Sequence, residues 1–296
     1  MTLDVAVIGS SFLDLTFEGL PGLPAPGEEV LCKRLHFSPG GSAMTAIGAS
    51  RLGLRTALIS PIGRDTAGAY LRSILDREGV ERPGPDVELT AVTAVLPFAE
   101  DRAMATFNPM EMPTLADTKR LQARAAVLSI RSLDLAPEAS HVYAVTSYPE
   151  VAEEAGGVPE DLHGVHAVIT AEPEATRLTG ATDAEEAALK LSVLARTAVV
   201  TRGPNGAVAA QDGSVIRAPG LDIVGRDTTG AGDLFVAAYV WADLLGIALD
   251  ARLAWANLYA GISVQTYTPL AGALRRAELL ERGRDRGLTI EIGLEG

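Results

Sequence analysis

Strand-like and helix-like segments alternate along most of this chain, and that alternation limits the possible folds more than any other feature of the sequence. Short apolar runs bounded by polar or small residues, such as 5–8 and 197–201, are typical of buried strands. Longer segments with an apolar period near 3.6, such as 66–78, are typical of helices. Because strands that alternate with helices form a mostly parallel sheet covered on both faces, the sequence predicts an α/β fold.

The other segments extend the same pattern across all 296 residues. We predict further strands at 56–60, 141–145, 167–170 and 289–292, and a hairpin of 208–211 with 214–218. We predict helices at 42–52, 114–125, 172–178, 183–195, 234–245, 250–267 and 274–282. A chain of this length can hold one large α/β domain, so residues 1–296 are expected to form a single domain.

Two stretches, about 12–38 and 88–107, interrupt this alternation with β-type patterns. The first contains prolines and glycines before an alternating run, and the second contains two alternating runs that fit a hairpin. We interpret both as insertions on the α/β body, and edge strands of one sheet remain the alternative. Their apolar positions need a cover that a second subunit could provide, so a homodimer through this region is one predicted assembly.

The charge of the chain limits what it can bind. Its formal net charge of −13 argues against nucleic acid and anionic membranes as partners, because both bind basic patches. The single cysteine, Cys32, excludes an internal disulfide and is typical of a reducing compartment. No signal-peptide pattern is visible, and the most apolar stretch, 234–249, is short for a bilayer span and contains Asp243. These features predict a cytoplasmic protein.

The run DTTGAGD at 227–233 has the composition of an anion-binding loop. Gly230, Ala231 and Gly232 leave backbone N–H groups accessible at a helix start, where a partial positive charge favours anions. Asp233 would repel that anion unless it has another task, and taking a proton from an attacking hydroxyl is the task that fits. A capped helix start is the structural alternative, but it does not explain Gly-Ala-Gly between two acids.

The sequence DTTGAGDLFVAAYV at 227–240 resembles the C-terminal signature of the ribokinase-like carbohydrate kinases, also called the phosphofructokinase B family. The resemblance implies ATP-dependent phosphorylation of a small sugar. It implies a Rossmann-type, mostly parallel sheet flanked by helices, with a small β lid over the sugar. It also implies that Asp233 is the catalytic base, and that Gly230, Ala231 and Gly232 form the anion hole. The implied cofactors are ATP and Mg²⁺, and a monovalent cation such as K⁺ is a further candidate.

A second group of residues is expected to bind the acceptor. Asp14 follows the first strand, and a carboxylate at the carboxyl end of a strand in an α/β sheet faces the crevice where ligands bind. The glycine pair Gly40-Gly41 opens a helix of small residues, which lets a ligand approach the backbone closely. This pair resembles the family's N-terminal signature. The resemblance assigns Asp14, Gly40, Gly41 and Thr45 to the sugar, and Thr45 stands where the family usually has an asparagine.

The resemblance also assigns residues to the nucleotide and to the metal. The nucleotide group is Thr201, Gly203, Gly206, Asp227, Thr228 and Asn257. For Asn257, a position on the helix surface is the alternative. Glu174 matches the acid of the family's Asn-x-x-Glu pattern, which helps to organise magnesium, whereas Ala171 replaces the asparagine. One oxygen ligand can suffice, because magnesium keeps several of its waters.

Three departures from the family pattern keep alternatives open. Thr45 and Ala171 replace asparagines, and the stretch 147–166 is short for the strand and helix that the family places there, which predicts a sheet one strand smaller. His163 and His166 have metal-pair spacing but no third ligand nearby, so a surface turn is the simpler interpretation. The sequence predicts a sugar kinase of the ribokinase or fructokinase type. A nucleoside kinase and a non-catalytic ligand-binding protein with the same fold are the alternatives.

Overall fold

The structure, a computed structural model, describes residues 2–98, 101–109, 111–146, 158 and 162–290. Its strands are β1 Leu3–Ile8, β2 Ser11–Glu18, β3 Arg34–Gly41, β4 Thr56–Ile59, β5 Ile62–Gly63, β6 Asp86–Val87, β7 Ala91–Phe98, β8 Asp101–Phe107, β9 Gln122–Ser129, β10 Glu138–Val145, β11 Ala167–Ala171, β12 Thr197–Thr201, β13 Ala207–Gln211 and β14 Ser214–Ala218. Its α-helices are α1 Ser42–Arg51, α2 Thr66–Arg77, α3 Leu115–Thr118, α4 Glu172–Thr179, α5 Ala184–Leu191, α6 Ala231–Leu244, α7 Leu249–Ser263, α8 Pro269–Gly272 and α9 Arg276–Arg284. None of the helices in these ranges combines the length and the apolar character that crossing a bilayer requires.

Eight strands form the central sheet of the described residues, in the order β14-β13-β12-β11-β10-β9-β1-β4. The pairs from β4 to β12 are parallel, and β13 and β14 add an antiparallel hairpin at one edge. Successive side chains of a strand point to opposite faces, so Val199 packs with α1, α6 and α7, whereas Val200 packs with α4 and α5. The predicted α/β fold, with a mostly parallel sheet flanked by helices, is confirmed.

The two β-rich stretches pair with each other in a separate four-stranded sheet, in the order β3-β2-β7-β8. β2 is antiparallel to β3 and parallel to β7, and β8 returns antiparallel to β7. The chain enters this sheet directly from β1 and leaves it from β3 into α1. One end of the four-stranded sheet is therefore anchored at the carboxyl end of β1, and these segments do not extend the edge of the central sheet.

One predicted element is wrong, and it lies in the middle of the sheet. The helix predicted at 114–125 is limited to Leu115–Thr118, and Gln122–Ser129 is a strand between β1 and β10. Its alanines favour a helix in isolation, but burial on both faces between two parallel strands outweighs that local preference. The strand expected to be absent would have stood elsewhere, between 141–145 and 167–170, and there β10 and β11 pair directly. Residues 289 and 290, the described half of the strand predicted at 289–292, are not in a strand, and 291–296 lie outside the described residues, as does most of 147–166.

Candidate active site

The predicted anion loop forms the turn that leads into α6. Gly230 precedes the helix with a φ of 74°, and a Cβ there would lie 2.5 Å from the Cβ of Pro269, so the turn requires glycine. Asp227 Oδ1 accepts a hydrogen bond from Thr229 N at 2.9 Å, which fixes the approach to the helix. Within the described residues, no side chain caps α6, and a Cβ on Gly232 would meet no atom within 4 Å. The start of this helix is therefore open to a ligand.

Asp233 lies in the first turn of α6, half-buried, with its carboxylate directed at α1. Thr45 Oγ1, on α1, donates a hydrogen bond to Asp233 Oδ1 at 3.1 Å. Burial raises the pKa of Asp233 to about 7, while the hydrogen bond from Thr45 lowers this pKa and the charge of Asp14 raises it. A carboxylate with a pKa close to neutral pH combines availability as a base with the strength to take a proton from a hydroxyl.

Asp14 lies in the middle of β2, between β3 and β7. Burial raises the pKa of Asp14 to about 6; a hydrogen bond from Thr93 and the charge of Arg102 lower this pKa, and the charge of Asp227 raises it. The carboxylate lies against Gly40, where a Cβ would overlap it. Glycine at position 40 is therefore what allows the acid to adopt this position.

Gly41 has a different task from its neighbour. It precedes α1 with a φ of 59°, and a Cβ there would lie 2.8 Å from the carbonyl oxygen of Ser10. Only glycine is therefore suited to the sharp turn from β3 into α1, the helix that carries Thr45. Together, these contacts bring the residues predicted for the acceptor into one cluster with Asp233.

Two contacts connect the four-stranded sheet to the anion loop. Arg102 Nη1, on β8, donates a hydrogen bond to Thr228 Oγ1. Tyr267 stacks on His36 of β3 with ring centroids 5.7 Å apart, and the Arg226 guanidinium lies 5.5 Å from the centre of the Tyr267 ring. Neither contact has a sequence signal, because its partners are far apart in the chain and each residue type is common on protein surfaces.

A family model and several known proteins match nearly the whole chain. The model described as pfkB family carbohydrate kinase matches residues 2–273. The chain belongs to the pfkB family. It is 27% identical to the ribokinase of Bacillus subtilis (strain 168) over 297 residues, which cover 94% of this chain and 98% of that relative.

Two solved structures share the fold of this pfkB-family kinase. Ribokinase from Thermotoga maritima superposes with a TM-score of 0.77 at 19% identity, covering 95% of this chain and 99% of that one. Ribokinase from Arabidopsis thaliana, complexed with ribose and ATP, superposes with a TM-score of 0.76 at 22% identity, with coverage of 95% and 99%. The ribokinase-like fold expected from the sequence is confirmed.

In this kinase, four of the six residues predicted to contact the nucleotide lie at or beside the turn between β12 and β13, and the other two, Asp227 and Thr228, lie in the loop before α6. Thr201 ends β12, and Gly203 and Gly206 follow with φ values of 54° and 85°. A Cβ on Gly206 would overlap the backbone at Ala218, so this turn packs tightly against the end of β14. Asn257 is buried on α7, and its Nδ2 donates to two backbone carbonyls at the end of β14, at 3.2 Å each. Asn257 is therefore not a surface residue, and it joins α7 to the hairpin.

Glu174 lies in the first turn of α4, at the same edge of the sheet as Thr201. Its Oε2 accepts hydrogen bonds from Ala171 N at 2.9 Å and from the hydroxyl of Thr146 at 3.4 Å. The bond to Ala171 is a helix-capping contact, so this acid stabilises the start of α4 in addition to any task at a metal. Because β11 and β12 are parallel neighbours, the residues that follow them meet at one edge.

Asp227 has the structural features of a cation ligand in this pfkB-family kinase. Its Oδ2 is buried and has no hydrogen-bond donor within the part of the chain that the structure describes. The Oγ1 of Thr229 is buried without a partner in the same ranges. A buried carboxylate oxygen without a donor is energetically costly, and a bound cation would remove that cost. The residues of the loop therefore fit a cation beside Asp227.

Proposed function

We propose that this kinase transfers the γ-phosphoryl group of ATP to a hydroxyl of a small, unphosphorylated sugar. The observation that carries the proposal is the carboxylate of Asp233, with a pKa raised to about 7, beside the uncapped start of α6. The similarity to a ribokinase over nearly the whole chain supports a sugar as acceptor. The fold shared with a ribokinase complexed with ribose and ATP supports ATP as donor.

The proposed reaction uses the cluster in a simple order. Asp14 would accept hydrogen bonds from two neighbouring hydroxyls of the sugar and so orient it. Asp233 would take the proton of the reacting hydroxyl as its oxygen forms a bond to the γ-phosphorus, and the bond to the β–γ bridging oxygen would break to release ADP. The N–H groups at 230–232, with the dipole of α6, would stabilise the charge on the transferring group.

Two kinds of cation fit the proposal. Mg²⁺ supplies positive charge to the phosphates when it is bound with ATP. Glu174 is the proposed protein contact to Mg²⁺, through water. A monovalent cation such as K⁺ fits the buried Oδ2 of Asp227, which lacks a donor among the described residues. The nucleotide itself is proposed to contact Thr201, Gly203, Gly206, Asp227, Thr228 and Asn257.

The positions of the basic side chains around the proposed acceptor site favour an unphosphorylated sugar. A phosphate on the acceptor would need a nearby arginine or lysine. Arg34 lies opposite Glu18 in the β2–β3 register. Glu18 is four residues along β2 from Asp14, so Arg34 lies about 13 Å along the strand from Asp14. Arg102 bonds to Thr228 of the anion loop. These arrangements support an acceptor that binds through hydroxyls alone.

The four-stranded sheet is proposed to act as a lid, and its two faces differ in character. Asp14, Thr16 and Thr93 share one face, which would cover the sugar. The opposite face consists of Leu13, Leu15, Phe17, Leu35, Phe37, Pro39, Val92, Ala94, Leu96, Ala103, Ala105 and Phe107. Leu35 and Phe107 remain 44% and 51% exposed, so we propose that a second copy of the chain covers this apolar face.

Steady-state assays with ATP and Mg²⁺ against sugars, their phosphates and nucleosides test the proposed function. We expect turnover of an unphosphorylated sugar, a lower kcat/KM for its phosphorylated counterpart, and a loss of at least about 100-fold in kcat for Asp233→Asn. Preference for a nucleoside would replace the sugar as acceptor. Nucleotide binding without turnover on any acceptor would identify a non-catalytic binding protein.

A further inference from the structure

A polar cavity of about 140 Å³ lies at the amino ends of the parallel strands, whereas the candidate active site lies at their carboxyl ends. Its polar lining consists of His166, Arg196, Thr197, Gln211, Asp243 and Arg252. Thr197 begins β12 and Thr201 ends it, about 13 Å further along the strand. Asp243 lies near the end of α6, about 15 Å along the helix axis from Asp233. A ligand in this cavity is therefore separate from the substrates of the kinase.

The negative charge of the cavity is already balanced by protein groups. Asp243 Oδ1 is 2.7 Å from Arg252 Nη2 in a buried ion pair. Asp243 Oδ2 accepts hydrogen bonds from the Tyr143 hydroxyl at 2.5 Å and from His166 Nε2 at 2.6 Å. Burial alone would raise the pKa of Asp243, but the hydrogen bonds from His166 and Tyr143 and the charge of Arg252 outweigh it and lower the pKa. Asp243 is thus an ionised, fully engaged acid.

The positive charge of the cavity is not balanced in the same way. The Arg196 guanidinium is exposed, and within the described residues it makes neither a hydrogen bond nor an ion pair. Leu249, the first residue of α7, also lines the cavity, and no side chain in the described ranges caps that helix. Uncapped N–H groups at a helix start add partial positive charge. Arg196 and Arg252 against Asp243 give the lining a net charge of +1, in a chain whose net charge is −13, and Asp250 in the first turn of α7 offsets part of the helix dipole.

Beside the cavity, His141, His166 and Asp243 place ligand atoms within 4.8 Å of one another. A metal ion nevertheless fits these three side chains poorly. The rings of His141 and His166 are stacked, with centroids 3.8 Å apart and planes inclined by 14°. Imidazole lone pairs lie in the ring plane, so two nearly parallel rings cannot both point at one ion at about 2.1 Å. The Arg252 guanidinium beside Asp243 also disfavours a second cation.

We propose that this cavity binds a small tetrahedral oxyanion of the phosphate class. A cavity of about 150 Å³ can hold benzene, which has six heavy atoms, and inorganic phosphate has five. Arg196 would provide the charge-assisted hydrogen bonds to the anion. Gln211 Nε2, which makes a long 3.4 Å hydrogen bond to Asp212, is a second donor at the rim.

Calorimetric titration of inorganic phosphate into the full chain, saturated with a non-hydrolysable ATP analogue that carries a γ-phosphate and with Mg²⁺, tests this site. The nucleotide fills the anion loop, so the remaining phosphate binding reports the cavity. We expect one phosphate per chain, and affinity reduced at least about ten-fold in Arg196→Ala because a charge-assisted bond is lost. Arg282→Ala removes the same charge from an exposed position on α9 and should leave the affinity unchanged.

Two results would overturn the proposal. Equal phosphate binding by Arg196→Ala and Arg282→Ala would mean an adventitious ion only. Stoichiometric binding of Zn²⁺ that His141→Ala abolishes, without phosphate binding, would mean a metal site instead. The test does not require turnover. If the chain fails to bind the ATP analogue, the kinase proposal fails, while the comparison of the two arginine variants still reports on the cavity.

Discussion

Thr45→Val tests directly how the proposed base is held. Thr45 Oγ1 donates to Asp233 Oδ1 at 3.1 Å, and this bond lowers the pKa of Asp233 against the effects of burial and of the Asp14 charge. Valine keeps the branched shape and removes the donor. Without the donor, the ionised carboxylate loses stabilisation, so the pKa of Asp233 should rise above its value of about 7.

The size of the effect follows from the strength of the bond. A hydrogen bond to a charged group contributes about 1.5–3 kcal/mol, which corresponds to roughly one to two pKa units. Water at this half-buried site will replace part of the bond, so we expect a shift of about one unit. At pH 7 the ionised fraction of Asp233 would then fall from about one half to about one tenth, and kcat/KM about fivefold.

Rate profiles between pH 5.5 and 9.5, with an acceptor identified in the substrate assays, measure this shift. In Thr45→Val the limb that reports the base should move to higher pH, and activity near pH 9.5 should approach that of the unsubstituted kinase. Thr118→Val changes another buried threonine, on α3, and should leave the profile in place. An unshifted profile would refute the reasoning, because the hydrogen bond from Thr45 would then not set the pKa of Asp233. An equal loss at every pH, without a shift, would refute it too and would leave Thr45 with a contact to the acceptor alone.

Three further substitutions probe the site and the lid. Relative to the unsubstituted chain, Asp233→Asn should stabilise the fold increasingly as pH rises from about 4 to about 7. The folded pKa of about 7 lies above the ordinary 3.8, so ionisation of Asp233 costs folding free energy across this window, and calorimetric Tm values at several pH values measure the gain. Gly40→Ala should raise the acceptor KM and leave nucleotide affinity unchanged in titrations, because its Cβ would displace the Asp14 carboxylate. Leu35→Asp should convert a dimer to monomers in light scattering, whereas a wild-type monomer would end the proposal that a second copy covers the lid.

Local patterns in the sequence determined the class of fold and the turn at 227–233 that precedes α6. The alternation of buried strands and amphipathic helices depends on residue periodicity, which a parallel sheet imposes on every strand and helix. The turn at 227–233 needs a residue with a positive φ at position 230, and a glycine there is visible in the sequence itself. Both features can be predicted because their physical causes lie within a few residues.

Only the tertiary structure decided which distant residues meet. Gln122–Ser129 is a strand because two parallel neighbours enclose it, and its own alanines do not report that enclosure. Arg102 meets Thr228 because the four-stranded sheet places β8 beside that loop, and His141, His166 and Asp243 converge from β10, the start of β11 and the end of α6. The pKa values of Asp14 and Asp233 are raised chiefly by burial. Burial and proximity arise only when the elements pack, so the charge state of the site is a property of the fold rather than of any segment of the sequence.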